Sequence, residues 1–230
     1  MNIPDYIKLA KRTECDYSTC TVQVPCLENY SAARLVHMAL GLSTEALEFK
    51  ASLDKNLPRH EQLMEMSDIC WFAALAAEEL GTAPGEYVPG VYPQQGVQKV
   101  LDLCELFASR VKAALCYGNP AKPSDPDPDY WTRIPAEILL RTYAIATAHL
   151  SGEDILDINI RKLRARYGEK FSAENAVNRV ETLEAQAVLA DPDLVARALN
   201  GRQTSLSSLR TQVVTTDEQN TSSPTEAKPV

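Results

Sequence analysis

Between Leu40 and Gly81 apolar residues recur at helical spacing, and four acidic residues fall among them in two short pairs. Glu45 and Glu48 form the first pair, Glu65 and Asp68 the second, with sixteen residues between them. An i, i+3 spacing puts both members of a pair on one face of an α-helix. Two such helices side by side would gather four carboxylates, and like charges in a partly shielded place raise one another's pKa unless a cation joins them. The donors are hard oxygens with no Cys or His nearby, which suits Mg²⁺ or Mn²⁺ better than zinc. Leu40, Leu47 and Leu53 on the first segment, and Ile69, Phe72, Leu75 and Ala76 on the second, are expected to form a packed seam with the acids at its edge. The plainer alternative is a pair of solvated acidic faces.

The rest of the chain also reads as helices. A short helix is expected around Tyr6 to Lys11, with Tyr6, Leu9 and Ala10 facing the bundle, inside a lead-in segment of residues 1–29. Tyr30 or Ser31 is a plausible N-cap for a helix reaching about Leu53, and Pro58 closes the connection to a second from about His60 to Leu80. Gly81, Pro84 and Gly85 are stop signals opening a loop from Thr82 to Gly96. A third helix is expected from Val97 to Tyr117, then a non-helical stretch from Asn119 to Asp129 that is rich in proline and aspartate. Pro135 suits the first turn of a fourth helix running to about Leu150. Ser151, Gly152, Glu153 and Asp154 have capping-box spacing for the next. Helical periodicity continues past Ser172 through Val177, Val180, Leu183 and Ala187, and residues 200–230 have the composition of a disordered tail. No stretch reads as a strand, so the expected fold class is all-α.

An internal echo appears in the second half. Asp102 and Glu105 repeat the acidic spacing and Glu137 stands where a counterpart of Glu65 would, but Leu140 replaces the aspartate. The main domain, residues 30–199, therefore reads either as a duplication, with one half near 30–81 and a degenerate half near 97–167, or as two hairpins that align by chance.

Gly41-Leu42-Ser43-Thr44-Glu45-Ala46-Leu47-Glu48, followed by Glu65-Met66-Ser67-Asp68-Ile69-Cys70-Trp71-Phe72, resembles the MazG-like all-α nucleotide pyrophosphohydrolases, whose signature is Glu-x-x-Glu, a spacer and Glu-x-x-Asp. Asn159, Lys162, Leu163, Arg166, Tyr167 and Phe171 resemble a second block of that family, and Tyr6 to Thr13 resembles its lead-in. The resemblance covers roughly residues 31–81 and 151–180. It implies Mg²⁺-dependent hydrolysis of a ribo- or deoxynucleoside triphosphate to the monophosphate and pyrophosphate, as in the related dimeric dUTPases.

On that reading Glu45, Glu48, Glu65 and Asp68 hold the metal, and Glu48, taken to sit deeper along its helix, is the first choice as base. Asn159, Lys162 and Arg166 share a helix face and would meet the polyphosphate, with Lys55 a weaker candidate for the departing pyrophosphate and Trp71 for base stacking. Each has a bland counterpart: a basic solvated helix, a core tryptophan. His37 ahead of the first acidic pair is read as a satisfied histidine rather than a ligand.

A net charge of −8 and a pI near 5.0 argue against a surface built for nucleic acid. No apolar run is long enough to span a membrane and no signal peptide is evident, so a cytoplasmic location is expected. Cys70, Cys104 and Cys116 are expected as buried free thiols; Cys15, Cys20 and Cys26 lack zinc-site spacing. A di-iron bundle would need Glu-x-x-His pairs, which are absent. The second function class is a catalytically inactive helical interaction or regulatory module. The preferred base and the choice between monomer and homo-oligomer stay open.

Overall fold

In the computed structural model the described residues are 1–14, 16–17, 27–84, 96–121, 125–147, 152–168, 170–171, 174 and 181–190. Among them the chain forms seven α-helices and no strands: α1 (Ile3–Arg12), α2 (Ala32–Asp54), α3 (Arg59–Glu79), α4 (Val97–Tyr117), α5 (Tyr130–Thr147), α6 (Gly152–Tyr167) and α7 (Glu181–Leu189).

The ends of these helices follow local chemistry. The side chain of Asn2 accepts a hydrogen bond from the Asp5 N–H at 2.8 Å, and Pro4 lies in the first turn of α1, so this helix begins before the expected Tyr6. Ile3, Tyr6, Ile7 and Ala10 then form one buried stripe. Ser31 is the cap of α2. That helix closes with Asn56 at φ 51, the Asn56 N–H bonding to Leu53 and the Leu57 N–H to Ser52, a Schellman ending. The same pattern ends α3 at Gly81, φ 67, where the Thr82 N–H reaches the carbonyl of Ala77.

Helices α2 and α3 form a tight hairpin, α4 packs on α2, and α5 packs on both α3 and α4, giving a four-helix core. Helices α1 and α6 lie against α3, and α7 covers α6. Because α3 meets α1, α2, α5 and α6, it is apolar nearly all round, with Ile69, Cys70, Ala73, Ala74, Leu75 and Ala76 fully buried. Its alanines let the neighbouring helices approach closely. No helix among the described residues is long and apolar enough to cross a membrane.

Three expectations are corrected here. Pro135 sits inside α5, which starts at Tyr130, a turn earlier than expected; the Tyr130 N–H bonds to Asp127 and the Thr132 N–H to Asp129, opening the helix ahead of the proline, whose ring nitrogen has no N–H to give the preceding turn. Cys116 is exposed, unlike Cys70 and Cys104, because it lies near the end of α4 beyond Ala114, the last buried residue of that helix. Leu40 and Leu47 are 62% and 67% exposed, and Leu53 is only half-buried; the seam of α2 is made by Leu35, Met38, Leu42, Ala46 and Phe49, one residue round the helix.

Cys15, Cys20, Cys26, Ser151, Ser172, Val177, Val180 and the expected tail 200–230 lie outside the described residues, as do the side chains of Glu153 and Asp154.

Candidate metal centre

Glu45 projects from the middle of α2, Glu65 and Asp68 from consecutive turns of α3, and the hairpin brings them together. Each of the three offers a carboxylate oxygen within 4.8 Å of the other two, and all three are half-buried. The carboxyl of Glu45 is pushed up to about 8, first by burial, then by the charges of Asp68 and Glu48, with Lys162 pulling the other way.

Glu48 stands apart. It is exposed, so the residue expected to lie deeper lies nearer the solvent, although it is close enough to act on Glu45 electrostatically. One turn along a helix changes burial as well as height, and α2 is buried on a narrow stripe.

The third wall comes from α6. Lys162, 1% exposed, directs its ammonium at Oδ2 of Asp68, while the Nδ2 of the fully buried Asn159 donates to Oδ1 of Asp68 at 3.0 Å. The i, i+3 spacing anticipated for these two residues does bring them to one place, but what they meet there is the acidic cluster. Arg166, on the next turn, makes a two-pronged bond to Glu184 of α7, Nε to Oε1 and Nη2 to Oε2, both 2.7 Å. Lys55 is exposed at the end of α2, about 15 Å along the axis from Glu45.

Tyr6 is a member of this site that the sequence reading assigned only to packing. Its hydroxyl donates to Oδ1 of Asn159 at 2.9 Å, and burial first, then the charges of Cys70 and Asp68, hold its pKa well above the ordinary phenol value. A phenol placed on a core stripe needs a hydrogen-bond partner, and that requirement was the available signal.

An aromatic group lies one turn further on the same hairpin. Trp71 packs edge-on against Phe72 with ring centres 4.7 Å apart, and His37 of α2 packs edge-on against both. The Tyr17 hydroxyl is hydrogen-bonded to Nδ1 of His37. Trp71 is 7% exposed, and its buried Nε1 has no hydrogen-bond partner among the described residues. Asp102 and Glu105, by contrast, are exposed, and Glu137 accepts bonds from Arg141 and Tyr130 at 2.7 Å each.

Three half-buried carboxylates, one of them paired with the Lys162 ammonium, form a donor set of hard oxygens that could hold a divalent cation such as Mg²⁺. The fold and this cluster together define an all-α helical bundle with a carboxylate triad between two hairpin helices, buttressed from a third. Comparison with family models, with curated proteins and with solved structures finds no match to this chain.

Proposed function

We propose that this protein is a Mg²⁺-dependent nucleoside triphosphate pyrophosphohydrolase of MazG-like type, cleaving a ribo- or deoxynucleoside triphosphate to the monophosphate and pyrophosphate in the cytoplasm. The observation that carries the reading is the triad of Glu45, Glu65 and Asp68 with Lys162 and Asn159 on one of its members, because two separate sequence blocks meet at a single point.

Mg²⁺, or Mn²⁺ in its place, supplies Lewis-acid polarisation of phosphate oxygens and makes a water easier to deprotonate. Glu45, Glu65 and Asp68 are the residues to hold it. Asn159 and Lys162 orient Asp68 and balance its charge. On this reading Glu48, exposed and close enough to act on the charge of Glu45, joins the ligand set or accepts a proton from water. Trp71 lies one turn from Asp68 and offers an indole for the base, though reaching it requires movement of a nearly buried side chain. Arg166 contributes to phosphate only if its pair with Glu184 opens, and Lys55 is remote from the triad.

A second reading is a catalytically inactive helical interaction module. It is favoured by the engagement of Lys162 and Arg166 with carboxylates of this same chain, in place of the open cationic face that a polyphosphate needs.

The deciding assay incubates the protein with Mg²⁺ and a panel of ribo- and deoxynucleoside triphosphates, dUTP included. Monophosphate plus pyrophosphate, lost in Glu45→Gln and reduced in Glu48→Gln, is the expected result. No product from any nucleotide would replace this reading with the interaction module.

A further inference from the structure

We infer that Tyr6, on the first helix of the chain, is a positioning residue for the metal centre, acting on Asp68 through the amide of Asn159. The inference rests on the metal-binding part of the proposed function. Three helices contribute one residue each: α1 gives Tyr6, α6 gives Asn159 and α3 gives Asp68.

An asparagine amide has a donor end and an acceptor end. A carboxylate only accepts, so the NH₂ of Asn159 must face Asp68, and its Oδ1 is thereby turned into the core. Asn159 and Tyr6 are both 0% exposed, so water does not reach that oxygen, and the Tyr6 hydroxyl supplies its donor at 2.9 Å. With the hydroxyl removed, Oδ1 would be a buried acceptor without a partner, an unfavourable state relieved by rotating or displacing the amide. Either movement takes the NH₂ away from Oδ1 of Asp68. The direction in which Asp68 presents its oxygens to Glu45 and Glu65 then rests on Lys162 alone, and a ligand set is sensitive to the partners that orient it.

The test is Mn²⁺ binding to the full chain by titration calorimetry, with Tyr6→Phe, Asn159→Ala and the double variant beside wild type. Phenylalanine keeps the ring in the core and removes one oxygen. Far-ultraviolet circular dichroism and unfolding in EDTA report whether each variant is folded without metal. We expect Tyr6→Phe to stay folded and to weaken Mn²⁺ binding about tenfold. In the Asn159→Ala background the same change should alter binding by less than about twofold, since Asn159 carries the effect.

Wild-type affinity in Tyr6→Phe overturns the inference while leaving the metal reading intact. An equal penalty in both backgrounds, or loss of helical signal in Tyr6→Phe, also overturns it, because Tyr6 would then act through packing. Absence of Mn²⁺ binding by wild type overturns the metal reading itself.

Discussion

The ammonium of Lys162 is buried to 1% exposure and hydrogen-bonded to Oδ2 of Asp68, a residue ninety-four positions earlier in the chain. A buried cation with a carboxylate partner is hard to remove singly, because the survivor keeps its charge and loses its counter-charge. Lys162→Met should therefore destabilise the metal-free protein by about 3 kcal/mol, with part of the loss restored by Mg²⁺. Lys162→Met combined with Asp68→Asn should cost less than Lys162→Met alone. Urea unfolding with and without Mg²⁺ checks both statements, and a double variant weaker than the single one would sink the argument.

Arg34 of α2 ties the segment just after α1 to the C-terminal end of α3. It is 7% exposed, and its Nε and Nη2 meet the two oxygens of Glu14 while Nη1 meets Glu78 and Glu79 at 2.6 and 2.7 Å. Lys11 also reaches Glu78 at 2.6 Å. Replacing Arg34 by Met leaves three carboxylates crowded, so a loss of about 3–5 kcal/mol is expected in thermal or denaturant unfolding. Arg34→Lys should recover little of it, since an ammonium cannot reproduce the planar fork.

Gly41 allows Phe72 to lie against α2. A Cβ at that position would fall 2.1 to 2.4 Å from three atoms of the Phe72 ring. Glycine to alanine inside a helix ordinarily gains about 1 kcal/mol. Here the sign should reverse, to a loss of about 1–3 kcal/mol from overpacking. Adding Phe72→Leu should remove the clash, and the double variant should then unfold at a higher temperature than Gly41→Ala.

Burial beside Tyr17, Trp71 and Phe72 holds the pKa of His37 below its ordinary 6.5. The folded state therefore binds fewer protons than the unfolded state as pH falls past 6.5, so this residue's contribution is a loss of stability on acidification through that value toward its folded pKa. Between about pH 7 and about pH 5 the wild type should lose more stability than His37→Gln, the acidic groups common to both titrating alike. Parallel melting-temperature profiles for the two proteins would refute this.

Much of the fold was legible because it is written in local chemistry. Ser31, Pro58 and Gly81 mark helix ends whatever surrounds them, and the limits of α4 follow from periodicity between two stretches whose composition disfavours a helix. The faces of α2 were harder to read. Leu40 and Leu47 are as apolar as Leu35 and Leu42, and both sets recur at helical spacing, so pattern alone did not say which stripe was covered.

The site divides in the same way. The i, i+3 spacing of Glu65 with Asp68, and of Asn159 with Lys162, follows from the sequence once helices are granted, because side-chain direction within a helix is set by its pitch. That Glu45 joins Glu65 and Asp68 while Glu48 turns to solvent, that Lys162 spends its charge on Asp68 and Arg166 spends its own on Glu184, and that Tyr6 reaches Asn159 across 153 residues were decided by the packing of α1, α2, α3, α6 and α7. Those contacts depend on how helices distant in sequence are oriented about one another. Spacing along a chain encodes the direction of a side chain within its own helix, and only the tertiary structure supplies the partner toward which it points.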